Sequence, residues 1–146
     1  MNEWYNYFLE LAHRLLQYIQ DETSDALYYE QLAHLAPNRE AGELLHQFSR
    51  DEARHAANLR KVYQQITGEK ARIPPVSPPE IPMYQRAIQQ RILAESNDFV
   101  KYGNEFLTAP DMYLRNLFYT TGATEARHGM SLSTLLCTDE KKNADP

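Results

Sequence analysis

Asp51-Glu52-Ala53-Arg54-His55 and Thr124-Glu125-Ala126-Arg127-His128 carry the same Glu-x-x-His pattern, 73 residues apart. The i, i+3 spacing puts a carboxylate and an imidazole on one face of a helix. A single such pattern is common by chance, so its weight rests on what surrounds it. Stepping outward alternately by three and four residues, the spacing of a bundle seam, gives Leu45, Phe48, Glu52, His55, Leu59, Val62 and Ile66 around the first. Around the second it gives Leu114, Phe118, Thr121, Glu125, His128, Leu132 and Leu135. Both stripes are apolar at their ends and polar in the middle.

The offset of 73 residues holds beyond the motifs: Glu22 falls on Glu95, Asp25 on Asp98, Tyr29 on Tyr102 and Pro37 on Pro110. The chain therefore reads as a duplicated helical hairpin. Glu22 and Glu52 each lie 15 residues from Pro37, and Glu95 and Glu125 each lie 15 from Pro110. At about 1.5 Å of rise per helical residue, each pair returns to one height on its hairpin. The remaining stripes are Leu11, Leu15, Tyr18, Glu22, Asp25 and Tyr29, and Ile88, Arg91, Glu95, Asp98 and Tyr102 with Ile92 and Phe99 alongside.

Breakers at Ala36-Pro37-Asn38, Gly68 to Pro82 and Ala109-Pro110-Asp111 divide the chain into four helices, expected at about 3–35, 39–67, 81–107 and 111–136. Glycine is scarce and no alternating β-branched run occurs, so the class is all-α: an antiparallel four-helix bundle over 1–137, made of two hairpins at about 3–67 and 81–136. The linker 68–80 is rich in proline, and its 13 residues reach about 40 Å when extended at roughly 3.1 Å each. That suits a crossover along helices about 42 Å long. Residues 138–146 are polar and expected as a frayed tail.

Composition narrows the functions. Net charge is −5 with no dense basic run, which argues against nucleic acid as a partner. No apolar stretch has the roughly 18 residues of a membrane span, and Glu3 and Glu10 interrupt what would be a signal peptide, so a cytoplasmic chain without a membrane partner is expected. The one cysteine, Cys137, excludes a disulfide framework or a four-thiolate metal ribbon within these residues.

Four glutamates and two histidines thus meet at mid-stripe. Unpaired carboxylates cost several kcal/mol each to desolvate, and two divalent cations balance four carboxylates while neutral imidazoles add ligands without charge. Mixed oxygen and nitrogen donors without thiolate suit iron or manganese. The expected metal ligands are Glu22, Glu52, His55, Glu95, Glu125 and His128.

Glu22, Glu52-x-x-His55, Glu95 and Glu125-x-x-His128 resemble the ligand set of the ferritin-like di-iron carboxylate superfamily, and the repeat and short helices resemble its rubrerythrin branch over roughly residues 10–136. The resemblance implies a ferritin-like bundle holding two iron ions, with manganese or a mixed pair as alternatives. It makes Glu52 and Glu125 bridging ligands, Glu22 and Glu95 terminal ones, and His55 and His128 the imidazole caps. Asp98 matches a position where rubrerythrins often carry a further, mobile glutamate. Tyr29 and Tyr102 match tyrosines near the metals, which can bond a carboxylate or donate a proton. Asp98, Tyr29 and Tyr102 are therefore the candidate catalytic residues. Asp51-Glu52-Ala53-Arg54-His55 also resembles the Asp-Glu-x-Arg-His run of oxygen-activating di-iron oxidases, whereas Thr124 replaces the aspartate in the second half.

The function implied is a peroxidase that reduces hydrogen peroxide with electrons from an external donor protein. Its competitors are an oxidase, of Fe(II) or another small donor, consuming dioxygen at the same site, and a non-catalytic metal-binding helical protein. A homodimer is the family-level expectation. Plainer readings compete for single residues: Asp25 and Asp98 at the stripe edges, Tyr29 and Tyr102 as packing, Arg54 and Arg127 in surface or interhelical pairs, and His13, His34 and His46 on the solvated surface.

Overall fold

A computed structural model describes residues 3–142, with side chains over 3–137. Four helices follow one another: α1 (Glu3–His34), α2 (Arg39–Thr67), α3 (Tyr84–Thr108) and α4 (Met112–Lys142). α1 packs along α2 and α3 along α4, so the all-α fold is a helical bundle of two hairpins. The chain divides into two compact units at Glu80/Ile81, one for each hairpin. Among the described residues, no helix is long and apolar enough to cross a membrane.

Each hairpin turns at its proline, and the residue after the proline caps the next helix. Asn38 Oδ1 accepts from Ala41 N at 2.9 Å, and Asp111 Oδ1 accepts from Leu114 N at 2.9 Å. Each satisfies an N–H that the first helical turn cannot pair internally. Gly68 ends α2 in the left-handed conformation, φ 77°, with its N–H on Gln64 O at 2.8 Å. A side chain there would meet the Cβ penalty that glycine avoids.

In the first hairpin Leu11, Leu15, Ile19 and Leu32 of α1 are buried, as are Leu45, Phe48, Leu59 and Val62 of α2. In the second, Ile88 and Tyr102 of α3 and Leu114, Phe118 and Leu132 of α4 are buried. α3 and α4 approach closely at Gly122, where an added Cβ would lie 3.3 Å from Tyr102 Cβ.

The structure departs from the expected boundaries and stripes in four places. α3 begins at Tyr84, because Pro82 biases the residue before it away from helical geometry. α4 continues to Lys142, well past 136 and into the segment expected as a tail. Cys137-Thr138-Asp139-Glu140-Lys141-Lys142 is polar but contains no helix breaker. Residues 143–146 lie outside the described residues. Ile19, and not Tyr18, is the fully buried residue of that turn of α1, since a period of 3.6 permits either step from Leu15. Phe99, set beside the core stripe, is 48% exposed.

Loss of a cap gives a direct test of the turn. Asn38→Ala should lower the unfolding free energy by about 1 kcal/mol while Asn38→Asp leaves it nearly unchanged. Urea denaturation with chelator present reads both, and equal stability of the Ala variant would remove the cap from the account.

Candidate metal centre

The antiparallel course of α1 and α2 brings Glu22 opposite the Glu52-x-x-His55 turn. All three residues are buried, at 2%, 1% and 5% exposure. His55 Nδ1 lies 2.9 Å from Glu52 Oε2 and 3.5 Å from Glu22 Oε2. One donor atom from each of the three falls within 4.8 Å of the others, a spacing that can surround one cation. Nearby, Ser49 Oγ donates to Ala26 O at 2.7 Å and ties α2 to α1. Burial pushes the Glu22 carboxyl up to about 7; the His55 contact opposes the rise and the adjacent Glu52 charge adds to it.

The second hairpin repeats the arrangement with Glu95, Glu125 and His128, which are 0%, 1% and 0% exposed. His128 Nδ1 stands 3.4 Å from Glu125 Oε2 and 3.7 Å from Glu95 Oε2. Their donor atoms again lie within 4.8 Å of one another. The difference is Arg91, one turn before Glu95 on α3, whose Nη2 lies 3.2 Å from Glu95 Oε1. Burial raises the Glu95 carboxyl, but His128, the Arg91 charge and Glu125 outweigh it and bring it down to about 2. Seam periodicity had placed Arg91 in the stripe without giving it a task. The available signal was a cation at a core position where the other half carries Tyr18.

The remaining candidates separate. Tyr29 and Tyr102 are fully buried, Tyr29 edge-on to Phe48 with ring centroids 5.5 Å apart and Tyr102 stacked on Phe118 at 6.3 Å. Asp98 is half-buried and accepts from Lys101 Nζ at 2.9 Å, and Asp25 is half-buried on α1. Arg54 pairs with buried Asp51, which also accepts from Gln47 Nε2 at 3.0 Å. At the matching place Thr124 donates to the backbone of Thr120, so the two hairpins differ here as the sequence indicated. His13 and His34 are exposed; His46 packs on His34 and meets Glu30 at 3.1 Å. Arg127 and Cys137 are exposed.

In each hairpin the donors are two carboxylates and one imidazole, buried and convergent, which fits a hard or borderline divalent ion such as iron or manganese. The rubrerythrin family profile matches residues 14–136. The chain belongs to the rubrerythrin family. No curated protein and no solved structure matches it significantly. Rubrerythrin membership accounts for the duplicated hairpin and for a buried carboxylate and histidine cluster able to hold metal.

The metal-free protein should show the cost of that cluster. Glu22 has its folded value raised above the unfolded one, so its penalty is present in full above about pH 7 and fades as pH falls through 4.5. Glu22→Gln should therefore stabilise the metal-free chain at pH 8 by roughly 2–3 kcal/mol, and much less at pH 4. Denaturant midpoints in chelator test this; an equal gain at both pH values would exclude Glu22 titration as its source.

Proposed function

We propose that this rubrerythrin-family chain is a di-iron peroxidase that reduces hydrogen peroxide with electrons from an external donor. The observation that carries the reading is the pair of buried Glu/Glu/His half-sites, Glu22, Glu52 and His55 with Glu95, Glu125 and His128. In this reading Glu22 and Glu95 would be terminal ligands, Glu52 and Glu125 would be shared between the ions, and His55 and His128 would cap them. Four carboxylates then balance two divalent ions, and the apolar stripe ends Leu45, Leu59, Phe118 and Leu132 keep bulk water away from them.

When bound in the ferrous state, an iron pair supplies the two electrons that split the O–O bond, and two protons complete the conversion of one peroxide to two waters. The protein's part is to hold the ions and to deliver protons. Tyr29 and Tyr102, fully buried two turns after Glu22 and Glu95, and Asp98, one turn after Glu95, are the proposed proton carriers. Cys137 alone cannot build a four-thiolate iron site, so the reductant lies outside these residues. A cytoplasmic homodimer acting against oxidative stress is the proposed setting.

Consumption of dioxygen by the same iron pair is the second reading, and the Asp51-Glu52-Ala53-Arg54-His55 run favours it, with Asp51 and Arg54 paired beside the site. Anaerobic iron-loaded protein mixed with hydrogen peroxide, and separately with air, distinguishes them. Faster oxidation by peroxide is expected; faster oxidation by air selects the oxidase, and no reaction with either selects a metal-binding role. Glu52→Ala should cut iron stoichiometry sharply, and an unchanged metal content would remove Glu52 from the ligand set.

A further inference from the structure

The two half-sites contain the same three ligands but not the same charge. Glu22, Glu52 and His55 bring two carboxylates, which one divalent ion neutralises. Glu95, Glu125 and His128 bring the same two, but Arg91 sits 3.2 Å from Glu95 and is 8% exposed. A guanidinium stays protonated under all ordinary conditions, so its charge is a permanent part of this half-site. A positive charge held this close to one of the carboxylates weakens the pull of the half-site on a divalent ion.

Geometry acts in the same direction. Arg91 engages Glu95 Oε1 while Oε2 is the oxygen nearer His128 Nδ1, at 3.7 Å. Glu95 can therefore offer one oxygen to a cation while the other stays on Arg91. At the equivalent position one turn before Glu22 stands Tyr18, which carries no positive charge.

From these features we infer that Arg91 makes the metal positions unequal: the Glu22/Glu52/His55 half-site takes the first divalent ion, and the Glu95/Glu125/His128 half-site takes the second with weaker affinity. Arg91 is thus a positioning residue that acts through Glu95, and a singly loaded protein is a stable stage of assembly. The inference rests on the two-metal reading above.

Anaerobic titration of the metal-free protein with Mn(II), following free Mn(II) by electron paramagnetic resonance, tests it without any turnover. The wild type should bind in two steps at least about tenfold apart, a difference of about 1.4 kcal/mol. His55→Ala should remove the tight step and His128→Ala the weak one. Arg91→Gln, which keeps a hydrogen-bond donor and removes the charge, should tighten the weak step about tenfold or more. Arg91→Lys, which keeps the charge, should leave the steps separated, and circular dichroism checks that each variant folds. Two equal wild-type steps, or an Arg91→Gln weak step that is unchanged or weaker, would overturn the role of Arg91 while leaving the two-metal reading intact. Less than one ion per wild-type chain, with Mn(II) and with Fe(II), would overturn that reading itself.

Discussion

The rest of this structure depends on the desolvation of carboxylates. Glu22, Glu52, Glu95 and Glu125 are each at most 2% exposed, in helices whose neighbouring buried residues are leucine, isoleucine and phenylalanine. Taking a carboxylate out of water is costly, and a well-packed apolar substitute at such a place would ordinarily be no less stable. The chain accepts that cost four times, at matching positions, with a histidine beside each Glu-x-x-His carboxylate. Stability alone gives no reason for this arrangement; an ability to hold cations does. The apolar ends of each stripe compensate by supplying the packing that the middle gives up.

Duplication explains how the cluster is held. Each hairpin uses the same device, a proline turn followed by a side-chain cap, and so returns its second helix at the height of the first helix's glutamate. The copies have since diverged in what surrounds the ligands. Asp51 and Arg54 pair beside the first half-site, where the second has Thr124; Arg91 stands beside Glu95, where the first has Tyr18. These changes leave every proposed ligand in place and alter only its charge environment. Two equivalent carboxyls take opposite directions, Glu22 upward through burial and Glu95 downward because His128, Arg91 and Glu125 together overcome burial. Geometry is shared between the halves, while electrostatics is individual to each.

The sequence by itself determined the helical class, the two hairpins and, within each hairpin, the two glutamates and one histidine that meet. These follow from regularities local to a helix: a 3.6-residue period, a proline that cannot continue a helix, and equal distances from that proline to the ligands on either side. The same local reasoning stopped short at the end of α4, because polarity does not break a helix, and at Ile19, because one period admits two steps from Leu15. Only the tertiary structure decided how the charges are shared. Which oxygen of Glu95 meets Arg91, that Arg54 turns to Asp51, that Asp98 turns to Lys101, and that Tyr29 and Tyr102 are fully enclosed all depend on side-chain rotamers and on what the opposing helix leaves room for. Sequence spacing sets the face and height at which a side chain leaves its helix. Its partner, its exposure and hence its affinity for a proton or a metal are set by the packing around it.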